Sequence, residues 1–226
     1  MTALALLHSP VTGPATWRWV AQRLAADGHQ LAVVAVPGEI TAHGWEAFVE
    51  HAAEQVANLG RPVLVGHSGA GLLLPQIAGR VPASGLIFVD SDVPPESGEA
   101  KLMPDDILSQ LRELASGGML PAWSEWFGPD VMAELVPDAA TRAIVAAELP
   151  QIPLAYFEDR LPVPPGWTRT PCGYVLLSEG YASEAATAAD RGWPVERLQG
   201  GHLELVTRPD EVAAAIESVA TKLTTH

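Results

Sequence analysis

The stretch Val63-Leu64-Val65-Gly66-His67-Ser68-Gly69-Ala70-Gly71 decides how this chain is read. An apolar, β-branched run breaks off at a glycine, presents a serine, and continues through small residues into the apolar sequence from Leu72 to Ile77. That order describes a strand, a sharp turn and the start of a helix, with a hydroxyl at the apex. Gly66 and Ala70 leave the space that lets strand and helix approach closely on either side of the serine.

Outward from this turn, short apolar runs alternate with helical patterns. Residues 3–8, 30–36, 62–67, 85–90, 173–178 and 195–198 read as buried strands, most of them apolar on both faces, as parallel strands covered by helices are. Residues 14–27, 44–59, 69–80, 183–191 and 209–223 carry helical spacing, several opened by Pro, Ser or Thr and closed by Gly. The expected product is an α/β fold, a right-handed β-α-β series in a doubly wound sheet of about six mainly parallel strands. Residues 94–165 break the rhythm. They offer no convincing strand, only short helical pieces separated by prolines and carrying Trp123, Trp126, Phe127 and Tyr156. This reads as a helical cap between two core segments, 1–93 and 166–226. Its aromatics either line a substrate pocket or fasten the cap to the body, and the two roles are compatible.

Composition excludes several function classes. The 226 residues hold 13 basic and 27 acidic side chains, and a net charge of −14 argues against a nucleic-acid or anionic-membrane partner. A single cysteine, Cys172, excludes an internal disulfide. The opening Met-Thr-Ala-Leu-Ala-Leu-Leu-His lacks a basic leader, and apolar runs end well before the ~20 residues that span a bilayer, so a cytoplasmic location is expected. No His-Glu-x-x-His string, cysteine pair or calcium loop points to a metal. A dinucleotide is disfavoured too, because His67-Ser68 fills the place in the Gly66 to Gly71 turn where a phosphate would approach. The expected partner is a small-molecule substrate, with no cofactor; oligomeric state leaves no trace in the composition.

A serine hydroxyl is a poor nucleophile until a base takes its proton. Gln199-Gly200-Gly201-His202-Leu203 follows the last predicted strand, so His202 sits on a loop at the carboxyl edge of the sheet, where Ser68 also emerges. The other histidines have weaker claims. His67 should point away from the serine's side, His8 ends the first strand and braces the loop after it, and His29, His43, His51 and His226 read as surface or terminal.

These features together resemble the α/β-hydrolase fold superfamily, in particular its small esterases and hydroxynitrile lyases. The carriers are Leu6-Leu7-His8-Ser9-Pro10-Val11-Thr12-Gly13 with Trp17, the serine turn as a nucleophile elbow with alanine for its final glycine, Phe88-Val89-Asp90 before a proline-rich cap, and Gly200-Gly201-His202 followed by Pro209. The first strand matches the family's third, so the resemblance implies a trimmed sheet without the leading hairpin. It also implies Ser68 as nucleophile, His202 as base and an acid to orient the imidazole. The acid is open between Asp90, at the end of the strand after the elbow helix, and Glu179, after the strand that follows the cap; Asp92, or no acid, completes the alternatives.

The same resemblance implies two backbone donors for an oxyanion, one of them the Gly69 N–H. The second donor position falls on Pro10, which has no N–H, so the Val11 N–H or the Ser9 hydroxyl must substitute. Relatives among the hydroxynitrile lyases carry a threonine in place of Ser9 and a lysine in place of Leu203, and the leucine does not support lyase activity of that kind. The leading expectation is a serine hydrolase acting on an ester, thioester or lactone of a small to medium apolar acid. A cofactor-free lyase, isomerase or cyclase using Ser68 and His202 for proton transfer is the alternative. A binding protein that kept the fold without the chemistry is the third.

Overall fold

A computed structural model describes residues 1–128 and 130–224, so the expectation for His226 lies outside the described residues. Six strands form one parallel sheet: β1 (Ala3–Leu7), β2 (Gln30–Val34), β3 (Val63–His67), β4 (Gly85–Val89), β7 (Cys172–Ser178) and β8 (Val195–Gly200), in the order β2-β1-β3-β4-β7-β8. The central strands are apolar at nearly every position because both faces are covered. Leu4, Leu6, Val63, Val65, Ile87 and Val89 pack on one face against Val20 and Leu24 of the helix Arg18–Ala26 and Val212, Ile216 and Val219 of the helix Pro209–Thr224. Ala5, Leu7, Leu64, Leu86 and Phe88 alternate onto the other face, against the helices Trp45–Val56, Ala70–Ala78 and Ala182–Asp190. Each such leucine, valine or phenylalanine removed from water stabilises the fold by about 1.5–3 kcal/mol.

Helix Pro209–Thr224 has proline at its first position, Asp210 and Glu211 in its first turn and Lys222 in its last, which matches the helix dipole at both ends. Among the described residues no helix is long and apolar enough to cross a membrane.

Two expectations from sequence need correction. The stretch from residue 14 begins as a 3-10 turn, Pro14–Trp17, and only then becomes the α-helix from Arg18. Residues 94–165 also contain strand: β5 (Glu99–Lys101) and β6 (Arg160–Pro162) pair antiparallel, with Ala100 and Leu161 turned into the core. Three residues each are too few to display a period of two, so the pattern is invisible in the sequence. Between these strands lie helices Asp105–Leu114, Val131–Leu135, Ala139–Ala146 and Ala155–Glu158. The insertion is tied to the body at several points. Trp167 Nε1–H donates to the Pro95 carbonyl (2.9 Å), and Arg191 donates to the Pro94 carbonyl (3.2 Å) while lying over the rings of Trp167 and Trp193.

Candidate active site

Ser68 follows β3 directly, and its backbone lies at φ 55°. Asp90 holds the same position after β4, at φ 44°. Among the described residues these are the only non-glycine residues in the left-handed region, which costs an L-residue of this kind about 1–3 kcal/mol. Hydrogen bonds fix both turns. The Ser68 N–H donates to the Val89 carbonyl (3.1 Å), the Gly71 N–H to the Ser68 carbonyl (3.0 Å) and the Asp90 N–H to the Val175 carbonyl (2.8 Å). Small residues permit the approach. A Cβ on Gly66 would sit 3.0 Å from the Leu74 side chain and 3.1 Å from the Ala70 backbone.

Gly71 is the tightest point, since a Cβ there would collide with Ser91 Oγ and come within 2.7 Å of Ser91 Cβ. Ser91 is buried and cannot retreat, because its backbone N–H and carbonyl both bond the Tyr174 hydroxyl (3.0 and 2.7 Å). Gly71→Ala is therefore expected to lower stability by about 2 kcal/mol, or roughly 4–8 °C in thermal midpoint, and calorimetry of the purified variant checks it.

Asp90 is fully buried and its carboxylate is saturated with donors. Oδ1 accepts from the Leu177 and Ser178 N–H groups, each at 2.8 Å; Oδ2 accepts from the Ser178 hydroxyl at 2.6 Å and from His202 Nδ1 at 2.7 Å. Burial alone would raise this carboxyl's pKa, but the hydrogen bond and charge of His202 and the bonds from Ser178 outweigh it and hold the group below its ordinary value. The fourfold contact follows from register: Ser178 pairs with Gly200 across β7 and β8, past an irregularity at Leu176/Ser178, which brings the end of β7 and the His202 loop to one place. Glu179 is exposed and makes no hydrogen bond to His202, whereas Asp92 is half-buried and lines the cavity described below. Burial, followed by the charge of Glu184, holds the Asp92 carboxyl above its ordinary value.

Three rings pack on the His202 imidazole: Tyr181 stacked at 5.3 Å and 16°, His67 at 4.6 Å and Trp123 at 6.3 Å. His67 does turn away from Ser68, but only to reach beneath His202, where its Nε2–H donates to the His202 carbonyl at 2.9 Å. Its Nδ1 is buried without a hydrogen-bond partner among the described residues. Tyr181 ends the 3-10 turn Glu179–Tyr181 after β7 and lines the same cavity as Ser68. Among the described residues no hydrogen bond joins Ser68 to His202. Sequence reasoning passed over both Tyr181 and Ser178, because nothing local marks a hydroxyl at the end of a strand as part of a site.

Ser68, Gly69, His202, Tyr181, Ser9, Pro10 and Val11 line one cavity of about 550 Å³. Its far side is apolar and comes from the insertion, with Leu102, Met103, Ile107, Trp123, Trp126 and Phe157. Trp126 also fastens the insertion to itself, as its Nε1–H donates to the Pro121 carbonyl (2.9 Å) and its ring meets Phe157 edge-on at 5.5 Å. On the near side, the loop after β1 lies against the elbow: a Cβ on Gly69 would sit 3.3 Å from both Pro10 Cδ and Ser9 Oγ. His8 holds this loop through Nδ1–H to the Ser9 carbonyl (2.8 Å), with Nε2 accepting from the Val36 N–H (3.0 Å). The Thr12 N–H and hydroxyl donate to the same Ser9 carbonyl (2.9 and 3.2 Å). Further along, Glu148 of the insertion accepts the Ala15 N–H at 2.7 Å. The Ser9 residue, only 3% exposed, lines the cavity, and its hydroxyl makes no hydrogen bond to a described residue. Gly69 precedes helix Ala70–Ala78, whose first N–H groups have no intrahelical acceptor.

Comparison with known proteins follows the fold. No curated protein matches the sequence. Among solved structures, an extracellular alpha/beta-hydrolase from a Paenibacillus species superposes with a TM-score of 0.76 at 16% identity, covering 97% of this chain and 99% of that one. A pyrethroid hydrolase from Sphingobium faniae JZ-2 gives 0.74 at 17% identity, covering 97% of each chain. Tomato methylketone synthase I, complexed with 2-tridecanone, gives 0.74 at 14% identity and covers 99% of each. These likenesses are of fold. A family model described as the alpha/beta hydrolase family matches residues 4–215, nearly the whole length, and on that match the chain belongs to the alpha/beta hydrolase family.

Proposed function

We propose that the protein is a serine hydrolase that cleaves an ester, thioester or lactone of a small to medium apolar acid. The observation that supports this most is the meeting, at one cavity, of a serine on a left-handed turn and a histidine bonded through Nδ1 to a buried carboxylate. With Nδ1–H given to Asp90, the His202 Nε2 is the free lone pair that takes the Ser68 proton as Oγ attacks the acyl carbon. Asp90 keeps the imidazole in that tautomer and stabilises its cation. The Gly69 N–H and the Ser9 hydroxyl, with the Val11 N–H beside them, face the developing oxyanion, and Pro10 contributes none. Residues 94–165 act as a cap whose apolar wall receives the acyl chain. Names among the fold neighbours, an alpha/beta-hydrolase and a pyrethroid hydrolase, are in keeping with this chemistry.

Intact-protein mass spectrometry after a fluorophosphonate probe tests the reading. Wild type gains one adduct, and Ser68→Ala gains none and loses ester turnover by at least about 10³-fold. An unlabelled, folded wild type would overturn acyl transfer. Attention would then pass to the second reading, a cofactor-free proton-transfer lyase, isomerase or cyclase. Two observations favour that one: the proline at the second donor position, and the absence among the described residues of a hydrogen bond from Ser68 to His202.

A further inference from the structure

We infer that Glu148, in the insertion, is a positioning residue for the reaction: by capping the turn that follows the loop after β1, it fixes the oxyanion donors which that loop supplies. The inference rests on the serine-hydrolase reading and extends it to a group outside the cavity.

The need for Glu148 arises at Ala15. The 3-10 turn Pro14–Trp17 runs straight into the helix Arg18–Ala26, and its cap position falls on Gly13, which has no side chain to offer an acceptor. Pro14 has no N–H, so the first donor of this stack is the N–H of Ala15, a buried residue. Glu148 Oε2 takes that N–H at 2.7 Å from 133 positions away, which also sets a carboxylate at the positive end of the stack. Two glycines make the seat. A Cβ on Gly13 would collide with Glu148 Cβ and stand 2.6 Å from its Oε2, and one on Gly38 would stand 2.6 Å from Pro150 Cβ. Gly13 lies at φ −127°, where any residue is at ease, so room for the insertion explains this glycine and backbone freedom does not. The segment that brings Glu148 is anchored in turn: the Ile152 carbonyl accepts from the Leu120 N–H at 2.9 Å, and Val145 is buried in the same apolar cluster as Trp17.

From that seat back to the serine, the loop is one braced piece. The Gly13 carbonyl accepts the Thr16 hydroxyl (2.8 Å) and N–H (3.2 Å), and the Ser9 carbonyl accepts the Thr12 N–H (2.9 Å) and hydroxyl (3.2 Å). Its near end meets the elbow, with Ser9 Oγ and Pro10 Cδ each 3.3 Å from where a Cβ on Gly69 would be. His8 steadies that near end, and Glu148 holds the far one. When Ser68 Oγ adds to the acyl carbon, the carbonyl π pair moves onto the oxygen, and its donors are the Gly69 N–H, the Ser9 hydroxyl and the Val11 N–H. Two of the three ride on this loop, and Pro10 withholds a further one. A shift of the loop therefore weakens the transition state more than it weakens substrate binding, because the apolar wall of the cavity comes from other residues of the insertion.

Three variants test the role with 4-nitrophenyl esters. Misplacement by about 1 Å costs about 10²-fold in rate. Glu148→Ala, which removes one support and leaves the loop's own bonds, is expected to lower kcat by about 10-fold and to keep KM within about 2-fold. Glu148→Gln still presents an oxygen to the Ala15 N–H and should stay within about 2-fold of wild type in both. Gly13→Ala, whose methyl displaces Glu148, should reproduce the Glu148→Ala result. A second readout isolates the oxyanion. A trifluoromethyl ketone, to which Ser68 adds with an oxyanion, should bind Glu148→Ala about 10-fold more weakly than wild type, while the matching methyl ketone, which stays unreacted, binds both alike. An unchanged kcat in Glu148→Ala, a loss in Glu148→Gln as large as in Glu148→Ala, or weaker binding of both ketones would overturn the role. A thermal midpoint lowered with kcat intact would leave Glu148 a structural contact only. Wild type that takes no fluorophosphonate label and binds the two ketones equally would sink the hydrolase reading itself, whereas a labelled wild type with any of the adverse outcomes removes only the role of Glu148.

Discussion

Asp90→Asn is expected to reduce ester turnover by about 10⁴-fold while leaving the fold intact. An asparagine side chain is the same size, and its oxygen can still accept the Leu177 and Ser178 N–H groups that now bond Oδ1. Its NH₂ group then faces His202 where Oδ2 stands at 2.7 Å. A donor in that place forces Nδ1 to become an acceptor, which moves the imidazole proton to Nε2 and leaves nothing to take the proton from Ser68. Steady-state kinetics with a 4-nitrophenyl ester, alongside circular dichroism for the fold, checks this. Glu179→Gln serves as comparison, because that carboxylate is exposed and makes no bond to His202. Loss in the Glu179 variant and activity near wild type in Asp90→Asn would reverse the assignment of the acid.

The second large effect is on stability in acid, and it comes from His8 and His67, both fully buried. Burial lowers His8 from 6.5 to about 4, against an opposing pull from the carbonyls of Ser9 and Thr12. Burial and then the charge of His202 lower His67 from 6.5 to about 3, opposed by Asp90 and by the His202 carbonyl. The unfolded chain binds protons at these sites below pH 6.5, and the folded chain refuses them until pH 4 or 3. Stability from these two histidines is thus complete above 6.5 and is lost as the pH falls through the window, at about 2.5 kcal/mol per pH unit near pH 5. Asp90 acts lower: its depressed pKa contributes stability that is whole above 3.8 and lost beneath it. Against a total of about 5–15 kcal/mol, the histidines alone bring unfolding within reach above pH 4. Urea midpoints should drop steeply between pH 6.5 and 5, and His8→Gln, which can still accept the Val36 N–H, should flatten the curve by about half. Midpoints that stay level across that window would count against both histidines being held neutral.

The parts of the molecule legible in sequence are those whose signal is local. The strand before Ser68 is apolar at consecutive positions because helices cover both faces, and the small residues after it announce a close approach; both facts are written into nine consecutive letters. The histidine loop was readable from its place between a strand and a proline-led helix. The acid was open, since Asp90 and Glu179 stand at the ends of neighbouring strands, and only the β7–β8 register at Ser178 decides which of them His202 meets. Tyr181 gave no sign for a related reason. A tyrosine three residues past a strand reads as surface until the stacking on His202 is seen. His67 misled in another way: the alternation that turns it from the serine's side also carries it under the loop that returns more than a hundred residues later.

The short ladder between β5 and β6 has a consequence for how such a protein diversifies. It brings residues 101 and 160 side by side, so everything from 102 to 159 leaves and re-enters the body through one gate. Lengthening, shortening or replacing that excursion alters the apolar wall of the cavity, and its entropic cost grows only slowly with length. The strand ends that carry Ser68, Asp90 and His202 all lie outside it. Selection can therefore redraw that wall while leaving those strand ends in place, provided the ring of Trp123 that packs on His202 is kept.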